Sequence, residues 1–162
     1  MGKLQKIEVS SHPNEIHKVL QFIERICDEK DIYNSYYGNI VTSITEAFNN
    51  AIEHGNNFSD DKNVTISFET KNDGLTFCVE DQGNGFNPLN ITNPTDPDFD
   101  AETGRGIFVM GLLSDNMLFL ENGAKVCFKF LISNINKETS DKRIEKLKAF
   151  LGKKVNQTIK NI

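Results

Sequence analysis

After Gly55 the apolar residues of this chain change period, and that change limits the fold more than any other feature. Before it they recur every three and four positions. Ile16, Val19, Leu20, Ile23 and Ile26 mark one helix, with Ser11 as its expected N-cap and Pro13 in its first turn. Ile40, Val41, Ile44, Ala47, Phe48 and Ala51 mark a second helix over residues 35–54, with Gly55 as its stop. Beyond Gly55 the apolar residues alternate. Val64, Ile66 and Phe68 make one strand and Leu75, Phe77 and Val79 the next, with Asn72-Asp-Gly74 as the hairpin turn between them.

The remaining segments extend this two-layer pattern. Leu4 to Ser10 alternates with one slip and is expected to add a short strand. Residues 87–103 hold three prolines and almost no periodicity, which predicts a long loop, and loops of that length in compact domains are usually lids or disordered. A third helix follows through Ile107, Met110 and Leu113. Two strands, Met117–Leu120 and Val126–Ile132, then flank a turn at Glu121-Asn-Gly123. The expected class is α+β, with two or three helices on one face of a largely antiparallel sheet. A single unit over residues 1–136 is expected, followed by a basic amphipathic tail over 137–162.

Charge separates those two parts. The tail carries eight Lys/Arg against three acids, which leaves ten basic and twenty acidic residues in the body. An acidic body repels phosphate backbones, so direct nucleic-acid binding is not expected. No apolar run approaches the ~20 residues of a membrane span, and the N-terminus lacks a signal-peptide core. Cys27, Cys78 and Cys127 lie far apart without metal-ligand spacing, and are expected to be reduced, buried thiols in a cytoplasmic protein. In the tail, Ile144, Leu147, Leu151, Val155, Ile159 and Ile162 form one helical stripe. It suits packing on the chain's own body, binding of a partner or a homodimer, or fraying into disorder; these stay open.

Three short segments carry the chemistry. In Thr45-Glu-Ala-Phe-Asn-Asn50, Glu46 and Asn50 stand one helical turn apart, off the apolar stripe. A carboxylate beside an amide oxygen suits a hard cation such as Mg²⁺, which takes few protein ligands and is completed by phosphates and water. In Asp81-Gln-Gly-Asn-Gly-Phe86, an acid ends a strand and two glycines follow. A carboxylate there can accept from the exocyclic amine of adenine and would repel the O6 of guanine, while Gly83 and Gly85 allow a tight turn. Gly104-Arg-Gly106 opens the third helix, whose free N–H groups form an anion site. Between Lys71 and Lys125 the only cation is Arg105, against nine acids. A triphosphate here would depend on a metal, backbone N–H groups and Arg105. Neither a P-loop signature nor a protein-kinase catalytic loop is present.

In this order the segments resemble the N, G1 and G2 boxes of the Bergerat-fold (GHKL, histidine-kinase-like) ATPases, over residues 5–131. The stretch Thr45–Gly55 resembles the bacterial anti-sigma factor serine/threonine kinases in particular. That resemblance implies a two-layer sandwich on a mixed, largely antiparallel sheet. It implies Glu46 as general base, Asn50 as Mg²⁺ ligand and Asp81 as adenine reader. Gly83 and Gly85 become the hinge under the base, residues 87–103 the ATP lid, and Gly104, Arg105 and Gly106 the phosphate contacts. It further implies ATP and Mg²⁺ as cofactors. The expected activity is phosphorylation of a serine on an anti-anti-sigma (STAS-type) partner, coupled to sequestration of a sigma factor. Where the family often has Gly-Thr, this chain has Gly123-Ala124. Two rival readings are an ATP-holding module that sequesters partners without phosphotransfer, and a detached catalytic domain of a sensor histidine kinase. Nothing in the three motifs requires the tail.

Overall fold

The computed structural model describes residues 3–32, 35–71, 74–87, 104–131 and 142–152. The chain runs β1 (Gln5–Ser10), α1 (Ile16–Glu29), α2 (Ser35–Asn50), β2 (Asn63–Lys71), β3 (Gly74–Glu80), α3 (Gly104–Leu113), β4 (Asn116–Leu120) and β5 (Lys125–Phe130). A further helix, α4, covers residues 142–152. The five strands form one sheet in the order β1-β2-β3-β5-β4. Every strand pairing among the described residues is antiparallel, so the sheet is not mixed. The α+β layered class is as expected.

Register explains how the alternating residues make a core. Val9 pairs with Val64, Ile66 with Val79, Phe68 with Phe77, and Phe77 in turn with Phe128. Because side chains on paired strands share a face, these residues form one apolar surface beneath the helices. Val64, Ile66, Phe77, Phe128 and Phe130 are fully buried, as are Ile40, Ile44 and Phe48 of α2 above them. The Phe68 and Phe77 rings lie 4.8 Å apart, and Phe130 meets Phe77 edge-on at 6.4 Å. Truncating Phe77 to Ala should cost about 3–5 kcal/mol through lost burial and the cavity left behind.

Several local expectations are corrected. Ser11 does not cap α1; its hydroxyl donates to the Lys62 carbonyl. The entry to α1 is instead a 3₁₀ turn, Pro13–Glu15, capped by the His12 ring, which accepts from the Asn14 N–H at 3.2 Å. The second helix is α-helical only to Asn50 and finishes in a single π-helical turn, Ala51–Gly55. β5 ends at Phe130 rather than residue 132. The predicted hairpin residues 72–73 and the lid, from residue 88 to 103, lie outside the described residues.

The cysteine expectation fails for two of three. Cys78 and Cys127 form a disulfide, with Cα atoms 4.1 Å apart. They are direct register partners on β3 and β5, so antiparallel pairing joins residues 49 positions apart. They point to the sheet face opposite the core. Only Cys27 is a free thiol, buried on α1. Its pKa is raised to about 11, first by burial and then by the neighbouring Asp28 charge.

α4 settles part of the open question about the tail. Its Phe150 ring packs on Phe108 of α3 with centroids 4.6 Å apart. Arg143 pairs with Asp115, just after α3, in an ion pair largely shielded from solvent. Ile144, Leu147 and Leu151 are half-buried. Residues 153–162, with Val155, Ile159 and Ile162 of the predicted stripe, lie outside the described residues. Among the described residues no helix is long and apolar enough to cross a membrane.

Candidate functional site

A cavity of about 380 Å³ opens between α2, α3 and the ends of β3 and β5. That volume is in the range of small-molecule sites. Its walls are mainly apolar, from Ala47, Ala51, Val79, Met110, Phe119 and Val126, with polar groups at separate points: Asn50, His54 and Asp81. Asn50 and His54 are set by the second helix and its terminal turn, Asp81 by the end of β3.

At one end stands Asp81, immediately after β3. Its N–H donates to the Ala124 carbonyl at 2.9 Å, continuing the β3–β5 ladder by one residue. Its Oδ1 accepts from the Gly83 N–H at 2.8 Å, which orients the carboxylate. Burial raises its pKa, with a smaller push from Glu80, while the Gly83 N–H and Lys62 pull the other way. The glycines around it are fixed by close approach. A Cβ on Gly55 would overlap the Asp81 carboxyl group, with Oδ1 only 2.6 Å away. A Cβ on Gly83 would overlap the Gly55 carbonyl. Gly55 therefore does more than stop a helix: its bare Cα makes room for the acid.

The turn after Asp81 is stitched to the turn before β5. The Phe86 N–H donates to the Asn122 carbonyl at 2.8 Å. Gly85 and Gly123 have φ of +72° and +91°, a region open to glycine at little cost, and each faces the other turn's backbone. Phe86 meets Phe119 edge-on at 5.2 Å and closes the cavity wall there. Ala124 lines the cavity beside them.

At the other end α2 meets α3. Glu46 and Asn50 lie one turn apart and both face Gly106: a Cβ there would stand 3.1 Å from Glu46 Oε2 and 3.2 Å from Asn50 Nδ2. Absence of a side chain at Gly106 thus lets the first turn of α3 approach a carboxylate and an amide. Gly104 and Asn50 line the cavity, and Gly106 and Glu46 lie just behind them. A helix N-terminus beside an amide oxygen can bind an anion and a hard cation together. Arg105 is placed differently. It is exposed on the first turn of α3 and is not part of the cavity wall.

Sequence reasoning missed Asn56, which anchors the acid's loop. Buried, it donates from Nδ2 to Ser11 Oγ at 2.7 Å and to the Asn63 carbonyl at 2.9 Å, and its Oδ1 accepts from the Gln82 N–H at 2.8 Å. One amide joins the end of the second helix, β1, β2 and the Asp81-Gln82 turn. Its only sequence signal is its place after His54-Gly55. As cavity residues Phe119 and Met110 also escaped notice, since each looks like ordinary core until the cavity forms.

An α+β layered domain with an apolar cleft, an acid at one end and a glycine-opened helix N-terminus at the other is a nucleotide-binding architecture. The family model for the histidine kinase-like ATPase domain matches residues 9–130. The chain belongs to that family, and ATP binding comes with membership. No curated protein matches the chain.

Proposed function

We propose that the protein is an ATP-dependent serine/threonine kinase and anti-sigma factor, which phosphorylates a serine of an anti-anti-sigma (STAS-type) partner and holds a sigma factor by partner switching. The observation that carries this reading is Glu46 beside Asn50 against Gly106. A carboxylate at the phosphate end can help hold Mg²⁺ or take a proton from a hydroxyl; because one protein ligand, the Asn50 amide oxygen, is enough for the ion, Glu46 is free for the second role.

The adenine amine donates to the Asp81 carboxylate, and the apolar walls around Val79, Met110 and Phe119 cover the base. Gly83 and Gly85 keep the turn beside it tight. The N–H groups at Gly104 and Gly106 receive the phosphates, and Arg105, exposed at the same turn, supplies the nearby positive charge. The residues at this end fit Mg²⁺, with the Asn50 amide oxygen as ligand. When bound, the ion would neutralise phosphate charge. Glu46 takes the proton of the partner's serine, the serine oxygen bonds to the γ-phosphorus, and the bond to the β-phosphate oxygen breaks to leave ADP. The phosphoserine carries about two negative charges at neutral pH, and repulsion from the acidic body then releases the partner for exchange with the sigma factor.

Glu46→Gln separates binding from transfer. A general base contributes about 10²–10⁴-fold, so this variant should hold ATP as the wild type does and lose transfer by that factor. The measurement is phosphate incorporation from labelled ATP into STAS-type partners, beside calorimetric ATP affinity. Unchanged transfer by the Gln variant removes the base assignment. Retained ATP binding with no transfer by the wild type to any STAS partner favours the purely sequestering module.

A further inference from the structure

α3 carries the two glycines of the phosphate end on its first turn, while its last turn is gripped from outside the nucleotide motifs. Arg143 of α4 donates from Nη1 to the carbonyl of Leu113, the final residue of α3, at 3.4 Å. Through Nη2 it pairs with Asp115 Oδ1. The other oxygen of Asp115 accepts the Leu131 N–H at 2.8 Å, and the Asp115 N–H donates to the Lys129 carbonyl at 2.9 Å. One guanidinium therefore ties the C-terminal end of α3 to the β4–β5 corner of the sheet. A guanidinium at that end also complements the partial negative charge of the helix terminus. Nearer the start of α3, Phe150 of the same α4 helix covers Phe108.

α3 is also anchored in the core by its buried Val109, Met110 and Leu113. Where it meets α2 near the site, its contact residue is Gly106, set against the polar groups of Glu46 and Asn50. Glycine has no side chain to interlock. A ten-residue helix is a rod of about 15 Å, so a displacement at Leu113 or Phe108 is carried to Gly104 and Gly106. Cores and packed helices shift as units rather than bending smoothly.

We propose that Arg143 is a positioning residue for nucleotide binding: through Asp115 and the end of α3, and with Phe150, it sets where the Gly104–Gly106 turn stands relative to Glu46 and Asn50. This rests on the reading of that turn as the phosphate site. It makes the tail part of the ATPase unit in operation, although it lies outside the residues that the family model matches.

The test compares ATP with adenosine, since only ATP has phosphates to meet α3. Wild type, Arg143→Ala, Arg143→Lys and Phe150→Ala are measured by displacement of a fluorescent nucleotide, with thermal unfolding in parallel. Arg143→Ala should weaken ATP roughly 3–30-fold and leave adenosine affinity unchanged. Arg143→Lys, which keeps the charge but cannot reach both Asp115 and the Leu113 carbonyl, should fall between. Phe150→Ala removes a ring without stranding a charge, and should shift ATP in the same direction if Arg143→Ala proves too unstable to study. A folded Arg143→Ala with wild-type ATP affinity overturns the proposal, as does equal loss for ATP and adenosine. Equal affinities of the wild type for ATP and adenosine would overturn the phosphate reading itself, and the proposal with it.

Discussion

Asp81 shows a residue held in place against its own electrostatic interest. Burial raises its pKa above the ordinary value of 3.8, in spite of the Gly83 N–H bond and Lys62. A carboxyl whose pKa rises on folding binds its proton more tightly in the folded state. Stability therefore falls as pH climbs from the ordinary value to the folded one, and the whole cost is present above it. Asp81→Asn keeps an oxygen for the Gly83 N–H and removes the charge. At pH 7 the unliganded variant should melt no lower than wild type, and any advantage should shrink as pH falls toward 4. Its ATP affinity should nonetheless drop by about 1–3 kcal/mol, the cost of an unmatched buried partner. Melting curves at the two pH values with calorimetry check both halves; a variant clearly less stable at pH 7 would contradict the burial argument. Gly55→Ala is the steric counterpart. Its Cβ would have to displace the Asp81 carboxyl group, so ATP binding should be lost in a protein that keeps its secondary structure by circular dichroism. The place of Asp81 at a strand end before a tight turn was legible, because the acid and two spaced glycines directly follow an alternating apolar run. The role of Gly55 was not, because the group it avoids is 26 residues away in sequence.

Among the elements, β3 and β5 are the pair on which the site and the sheet both depend. They carry Val79 and Val126 into the cavity wall and Cys78 and Cys127 onto the other face. On a chain-entropy reckoning, a cross-link closing 49 residues stabilises by about 4 kcal/mol. Reduction should therefore lower the melting temperature by several degrees. Thiol titration should find three thiols after reduction in denaturant, against one without reduction. Cys27 should react slowly in the native state because it is buried and its pKa is raised to about 11. Finding three reactive thiols in the unreduced denatured protein would rule out the cross-link. The strands themselves were legible from alternation and their ends from turn residues. The disulfide was not. Pairing partners depend on strand order, and the chain makes β4 before β5 yet places β5 beside β3.

For the molecule as a whole, ligand binding and folding are coupled. ATP at a hundred times its dissociation constant should stabilise the native state by about 2.7 kcal/mol, and a thermal-shift titration reads this directly. GTP at the same concentration should give a smaller shift if Asp81 rejects the guanine O6; an equal shift would remove adenine selectivity. Sequence alone fixed the helical and alternating periods, the two layers they form, and the identities of Glu46, Asn50, Asp81 and the glycine turns, because those signals are local. Only the tertiary structure decided what each of them faces. It set Glu46 and Asn50 against Gly106, made Gly55 the space for Asp81, left Arg105 outside the cavity wall, and joined Cys78 to Cys127. It also laid α4 on α3, where the sequence offered a stripe without a partner. Periodicity reports which side of an element is apolar; which surface covers that side is settled by packing between residues far apart in the chain.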